Sequence, residues 1–198
     1  DSMRRRIIAP LKIGLKTFQN RPQEKLRVLD VATGTGRSLK QIRAALNKVE
    51  LLGIDLSESY LKQASRYLNN HGKDLAQLVR GNAEEMPFAS NSMQGVTCVF
   101  LLHELPQNAR QNVLNDCWRV LEPGGVLVLA DSIQIDDTPE FSSLMENFHK
   151  IFHEPYYNNY IRDDIESRLK SSGFTGITAE SYFMTRVWSA CKPTLEVS

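Results

Sequence analysis

A chain of 198 residues is long enough for one domain with a full hydrophobic core and short for two. Hydrophobic residues at 41% and charged residues at 24% are ordinary for a soluble globular protein, and the net charge of +1 supplies no electrostatic drive toward nucleic acid or an anionic membrane. No run approaches the ~20 apolar residues of a membrane span, which argues against stable insertion.

The first charged feature, Arg4-Arg5-Arg6, reads as solvated surface arginines, because a nucleic-acid arm needs more charge around it. The apolar stretch behind it is interrupted by Pro10 and Lys12 and is too weak for a secretory leader. The chain opens on Asp1-Ser2 with no Met, which leaves room for a missing N-terminal piece. A helix is expected over residues 7–18. Residues 26–31 read as a strand that breaks into Gly34-Thr35-Gly36, and a helix follows over roughly 37–47 with Leu39, Ile42 and Leu46 on one face. Residues 51–54 form a second strand. Ser57 then caps a helix to about Asn69, with Glu58 well placed for its dipole.

A short third strand is expected over 75–79 and a continuous, β-rich fourth over 96–102. Pro106 suits a helix start, and Val113, Leu114, Cys117, Trp118 and Leu121 give that helix an apolar stripe. Glu122-Pro123-Gly124-Gly125 is a turn by composition, ahead of a fifth strand over 126–130. Strands alternating with helices predict a parallel sheet covered on both faces. The end of the chain departs from that pattern. A helix over 165–172 stops at Gly173, and two strand-like runs, 177–182 and 185–190, follow with no helix between them. They predict a hairpin that adds an antiparallel strand, hence a mixed sheet of seven strands.

Cys98, Cys117 and Cys191 lie far apart with no CxxC pair, so neither a disulfide framework nor a metal site is expected. Cys98 reads as a buried inert thiol, which fits a cytoplasmic or other reducing compartment.

The strand–glycine–helix stretch admits two readings. A dinucleotide oxidoreductase wants G-x-G-x-x-G, and here Gly34 and Gly36 are followed by Leu39 where the third glycine belongs. The other reading uses more residues. Asp30 ends the first strand, and Asp55 ends the second, where a carboxylate accepts hydrogen bonds from both ribose hydroxyls. Asn82-Ala83 follows the third strand and suits an adenine edge. A ligand with adenosine and a carboxylate, but no phosphates, needs only the helix N-terminus for its anionic end.

These stretches together resemble the class I S-adenosylmethionine-dependent methyltransferases. VLDVATGTGRSL at 28–39 is similar to the family's first motif and LLGIDLSESYL at 51–61 to its second. GNAEEMPFASNSMQGVTCVFLLHEL at 81–105 resembles the acidic-loop and fourth-strand region, and RVLEPGGVLVLAD at 119–131 the fifth motif. The details suggest the branch of ubiquinone and menaquinone C-methyltransferases and other small-molecule enzymes. Asn82 stands where the family often has Asp, and Gly95 where an Asp often opens the fourth strand.

The resemblance implies a single domain over 1–198 with a Rossmann-like, doubly wound mixed sheet, helices on both faces, an N-terminal helical segment (1–22) and a helical lid (133–165). It implies S-adenosyl-L-methionine as cofactor, S-adenosyl-L-homocysteine as product, and methyl transfer to a small-molecule acceptor. A non-catalytic scaffold of the same fold is the alternative. Cofactor contacts are expected at Asp30, Ala32, Gly34, Gly36, Asp55, Leu56, Asn82, Ala83 and Phe100, with Glu84 at the edge of the adenine pocket. Asp30 would serve the amino end of the cofactor, and Leu56 would pack on adenine. His103 in LLHEL is a candidate general base, set against a structural histidine; Glu104 is a weaker candidate.

The segment SLMENFHKIFHEPYYNNYI, 143–161, places Leu144, Phe148, Ile151 and Phe152 at helical spacing for the core. Met145, His149, His153, Tyr156, Tyr157 and Tyr160 are left over, and insertions here cover the acceptor site in related methyltransferases. Met145, His149, His153, Tyr156 and Tyr157 are therefore expected to face the acceptor, with the 7–18 helix completing the lid.

Overall fold

The computed structural model describes residues 2–22, 25–69 and 76–194 and, within them, all side chains but those of 148–152. Helices α1 (Ser2–Arg5) and α2 (Ile8–Gly14), with a 3₁₀ turn at Leu15–Phe18, lead into β1 (Arg27–Val31), α3 (Arg37–Ala45), β2 (Glu50–Asp55), α4 (Glu58–Asn69) and β3 (Gln77–Arg80). Then come β4 (Met93–Val99), a 3₁₀ turn at Leu102–Glu104, α5 (Gln107–Val120) and β5 (Leu121–Ser132). The chain continues through α6 (Ser142–Phe152), α7 (Tyr157–Tyr160) and α8 (Ile165–Ser171) to the hairpin β6 (Thr175–Tyr182) and β7 (Thr185–Cys191). The seven strands form one sheet in the order β3-β2-β1-β4-β5-β7-β6, with β7 antiparallel to both neighbours and the first five strands parallel.

Alternation along the strands divides the core into two layers. Leu29, Val31, Leu127, Leu129 and Trp188 face one side, where Val113, Leu114 and Cys117 of α5 and Ile165 and Leu169 of α8 cover them. Val28, Val126, Val128 and Val187 face the other, under Leu11 of α2 and Leu39 and Ile42 of α3. Local caps agree with this plan. The Ser57 hydroxyl accepts from the Tyr60 amide at 3.3 Å at the start of α4, Pro106 precedes α5 in an extended conformation, and Asp164 accepts from the Ser167 amide at 2.9 Å at the start of α8.

Five sequence expectations need revision or limits. β4 begins at Met93 and ends at Val99, because Phe100 turns left-handed with φ +59° and takes 100–102 out of the sheet. The turn at Glu122–Gly125 lies inside β5 as a bulge. Only Gln94 stands opposite it, between the pairs Met93–Leu121 and Gly95–Val126, and the Lys192 ammonium donates to the Leu121 carbonyl at 2.7 Å to hold its base. The start expected for β3, Leu75, lies outside the described residues.

The helix around residues 7–18 belongs to the core layer. Ile7, Leu11, Leu15 and Phe18 are buried, and a Cβ on Gly14 would come within 2.4 Å of Val126 on β5. Apolar spacing fits a core helix and a lid equally, and here the sheet face claims the helix. In α6 the register is rotated from expectation: Leu144 is exposed while Met145 is fully buried with Tyr157, Tyr160 and Ile161. The side chains of Phe148, His149, Ile151 and Phe152 lie outside what is described.

At the far edge, β6 shifts register against β7 between Thr175 and Thr178, where Gly176 takes φ +59°.

Candidate active site

A cavity of about 610 Å³ opens at the carboxyl ends of β1, β2 and β4, where the strand order reverses direction. Open α/β sheets bind ligands at this edge because loops from neighbouring strands diverge there. Ala32, Gly34, Asp55, Leu56, Asn82, Ala83 and Phe100 line it, as do Glu84 and Glu104. Asp30 and Gly36 do not.

The turn after β1 is built around Gly34. Its φ is +54°, and a Cβ there would meet only the Ala32 carbonyl, at 4.0 Å, so a side chain would fill open cavity space. The Gly34 amide donates to Asp55 Oδ2 at 2.8 Å, and the Ser57 amide donates to Oδ1 at 2.8 Å. Each carboxylate oxygen keeps capacity to accept again, and these atoms are at the cavity wall. Ala32 and Phe100 hold φ of +53° and +59°. Left-handed backbone costs non-glycine residues about 1–2 kcal/mol each, so both turns carry strain. Strands hold them in place: Thr33 donates to the Ile54 carbonyl at 3.0 Å and Phe100 to the Ala130 carbonyl at 2.8 Å.

Gly36 has a different task from the one expected. It precedes α3 at φ +78°, and a Cβ would come within 3.3 Å of Ala64 and Leu68 on α4. It serves helix packing behind the cavity. Asp30 also sits behind the wall, 1% exposed, accepting from the Thr97 hydroxyl at 2.6 Å and the Thr33 hydroxyl at 2.8 Å. Burial pushes its carboxyl up to about 6, against the opposing effect of those two hydroxyls.

On the adenine side expected from the sequence, Leu56 is 66% exposed, a large apolar surface beside the cavity. The Asn82 side-chain oxygen accepts from the Glu84 amide at 3.0 Å, and Glu84 accepts from Asn112 at 2.9 Å. Arg4, Arg37 and Tyr60 also line the cavity. Sequence reasoning placed Arg4 in solvent, because nothing local marks which of three consecutive arginines turns inward.

His103 lies behind Phe100 and off the cavity wall, mostly buried, with Nδ1 at 2.5 Å from Asp131 Oδ1 and Nε2 at 3.8 Å from Glu154 Oε2. The rings of Phe100, Tyr157 and Tyr160 surround it edge-on. Burial works to lower the imidazole's pKa, but Asp131, followed by Glu154 and Glu104, outweighs it, and the net direction is upward. Glu104, which does line the cavity, is pushed up by burial against the pull of His103.

The crossover after β5 is more structural than its composition suggests. Tyr157 is 2% exposed and shares a hydrogen bond with the Ser132 hydroxyl at 2.7 Å, and Met145 is in the core. The structure thus puts both inside the protein, away from the cavity wall. Tyr156 and His153 are exposed, and neither lines the cavity. Arg110 of α5, fully buried, ties the crossover down: it donates to the carbonyls of Leu102 (2.8 Å) and Tyr156 (3.1 Å), to Asn159 Oδ1 (2.9 Å) and to Asp163 Oδ2 (2.7 Å). One sequence signal for it existed. Arg110, Val113, Leu114 and Cys117 share one helical stripe, so a charge stands among core positions.

The methyltransferase domain family matches residues 28–125. The O-methyltransferase rstn1 of Aspergillus nomiae is 32% identical over 149 residues, 75% of this chain and 64% of that protein. A demethylmenaquinone methyltransferase of Listeria welshimeri is 35% identical over 115 residues, 58% of this chain and 48% of that protein. The chain thus spans about half to two thirds of these relatives' length. A solved structure of Haemonchus contortus phosphoethanolamine N-methyltransferase 2, in complex with S-adenosyl-L-methionine, superposes with a TM-score of 0.65 at 16% identity, covering 92% of this chain and 53% of that one. By its motifs, sheet order and relatives, the chain belongs to the class I S-adenosylmethionine-dependent methyltransferases.

Proposed function

We propose that this chain binds S-adenosyl-L-methionine in the cavity at the ends of β1, β2 and β4 and transfers its methyl group to a small-molecule acceptor. The observation that carries this is Asp55. Two backbone amides fix its carboxylate at the cavity wall, with acceptor capacity left for a pair of vicinal hydroxyls. A 2′-phosphate would be repelled there, and a pyrophosphate would lack the third glycine, since Leu39 stands at that position. The open space above Gly34 fits a ligand chain passing close to backbone.

In this reading Asp55 holds the ribose, Leu56 and Ala83 pack on adenine, Asn82 offers its amide to the base edge, and Ala32 and Gly34 frame the thioether. Asp30 adds negative potential from behind the wall. Bound S-adenosylmethionine supplies a methyl group already activated by its sulfonium. The chain's work is then to align the acceptor for in-line displacement and to exclude water, effects worth up to ~7–11 kcal/mol in favourable cases. Phe100 and Leu101 give the cavity an apolar stretch against which an organic acceptor would lie. His103 positions that region as a buried imidazole held by Asp131. The relatives' names, an O-methyltransferase and a demethylmenaquinone methyltransferase, favour a small organic acceptor over a macromolecule.

Calorimetric titration with S-adenosyl-L-homocysteine and with NAD separates the methyltransferase from a nicotinamide enzyme. Binding of the first alone is expected, and Asp55→Ala should weaken it about ten- to hundredfold. Equal affinity in parent and variant removes the reading. Release of S-adenosyl-L-homocysteine with a panel of phenols, catechols and reduced quinones then distinguishes an enzyme from a non-catalytic scaffold.

A further inference from the structure

The cavity wall carries two guanidinium groups from different parts of the chain, Arg4 of α1 and Arg37 at the start of α3. Neither makes an ion pair among the described residues. The carboxylates near them are engaged elsewhere: the oxygens of Asp30 receive two threonine hydroxyls, and those of Asp55 two backbone amides. Arg4 is half-buried, and its guanidinium lies 5.6 Å from the centroid of the Phe100 ring. Burial lowers its pKa first, and neighbouring Arg37 lowers it further, with Asp30 opposing. Two unpaired like charges stand on one wall, Arg4 half-buried and Arg37 exposed, and an anion between them relieves their repulsion.

The segment bearing Arg4 is held from behind. The Thr185 hydroxyl contacts the Met3 sulfur at 2.9 Å, and the Arg6 guanidinium lies 4.2 Å from the centroid of the Tyr182 ring. The hairpin β6–β7 thereby anchors α1 so that Arg4 points to the cavity.

We propose that Arg4 and Arg37 form the seat of the α-carboxylate at the amino-acid end of the bound cofactor, which makes the N-terminal segment part of the cofactor site. This rests on the cofactor reading above and goes beyond it, because Arg4 lies outside the matched domain, residues 28–125. A single carboxylate fits better than a phosphate group. Asp55 and Glu104 on the same cavity and Asp30 behind it disfavour a multiply charged anion, while a zwitterion meets cations and anions in turn. A planar guanidinium fork matches a carboxylate in two parallel bonds.

The test compares S-adenosyl-L-homocysteine with its decarboxylated analogue, which keeps the adenosine and the ammonium. By calorimetry the parent should prefer the carboxylate-bearing ligand about ten- to hundredfold. Arg4→Gln should erase most of that preference by weakening the first ligand and leaving the analogue unchanged. Arg37→Gln, on a different element, reads the same comparison if Arg4→Gln unfolds early in a ligand-free thermal melt. A preference retained in both variants, or a loss equal for both ligands, overturns the clamp. Failure of the parent to bind either ligand overturns the cofactor reading itself and the clamp with it.

Discussion

Replacing Arg110 by Met should destabilise the protein by about 3 kcal/mol. Losing one partner of a buried ion pair usually costs about 3–5 kcal/mol, because the other charge is stranded. Here Asp163 is not stranded, since Arg168 Nε still donates to it at 2.7 Å. The loss falls on the carbonyls of Leu102 and Tyr156 and on Asn159 Oδ1, at about 1 kcal/mol each. Methionine refills most of the space. For a chain of this size 3 kcal/mol corresponds to a fall in Tm of about 6–12 °C, measurable by thermal or urea unfolding. The 156–160 turn, held by two of these bonds, should also become the first site cut in limited proteolysis. A loss below about 1 kcal/mol, with the protease pattern unchanged, would show that the crossover is fixed by its apolar contacts alone.

Gly36→Ala places a Cβ at φ +78° and 3.3 Å from Ala64, so it should cost about 2 kcal/mol of stability while S-adenosyl-L-homocysteine affinity stays within about twofold; a tenfold affinity loss in a protein of normal stability would return Gly36 to the ligand contacts. Asp30 titrates at about 6 when folded against an ordinary 3.8, so the native state retains its proton between those values. Its contribution is complete below about pH 4 and is lost as pH rises through about 6, an amount approaching roughly 3 kcal/mol. Asp30→Asn should flatten the stability profile over that window, and identical slopes in the two proteins refute the assignment. His103 has a raised pKa, so its contribution is present at mildly acid pH and lost as pH rises through the folded value. His103→Asn should therefore destabilise more at acid than at alkaline pH and leave turnover per folded molecule unchanged; a fall of about a hundredfold or more would make it a base.

Strands and helices with unbroken apolar periods were legible in the sequence, as was the hairpin, whose missing crossover helix shows as a gap. Positions whose neighbours come from far along the chain were not. Asp30 reads as a strand-end carboxylate, and nothing adjacent announces that Thr97 will fill one of its oxygens. Met145 and Leu144 are equally apolar, so one rotation of α6 exchanges their environments, and α7 decides between them. The bulge in β5 reads as a turn because Pro-Gly-Gly serves both, and Lys192 decides from the end of the chain. Tyr157 supplies an aromatic body suited to a ligand or a core, and Ser132 gives its hydroxyl an internal partner.

The register shift at Gly176 also bears on how the molecule behaves in a crowded solution. A seven-stranded open sheet has two raw rims, each able to template pairing with another chain. At one rim β3 is only four residues long and carries Arg80. At the other, β6 is twice that length and would offer a flat ladder to any passing strand. The kink at Gly176 interrupts that ladder near its start, and Glu180 adds charge farther along. The protein keeps its long outer strand as a cover for the core while denying it the straightness that self-association requires.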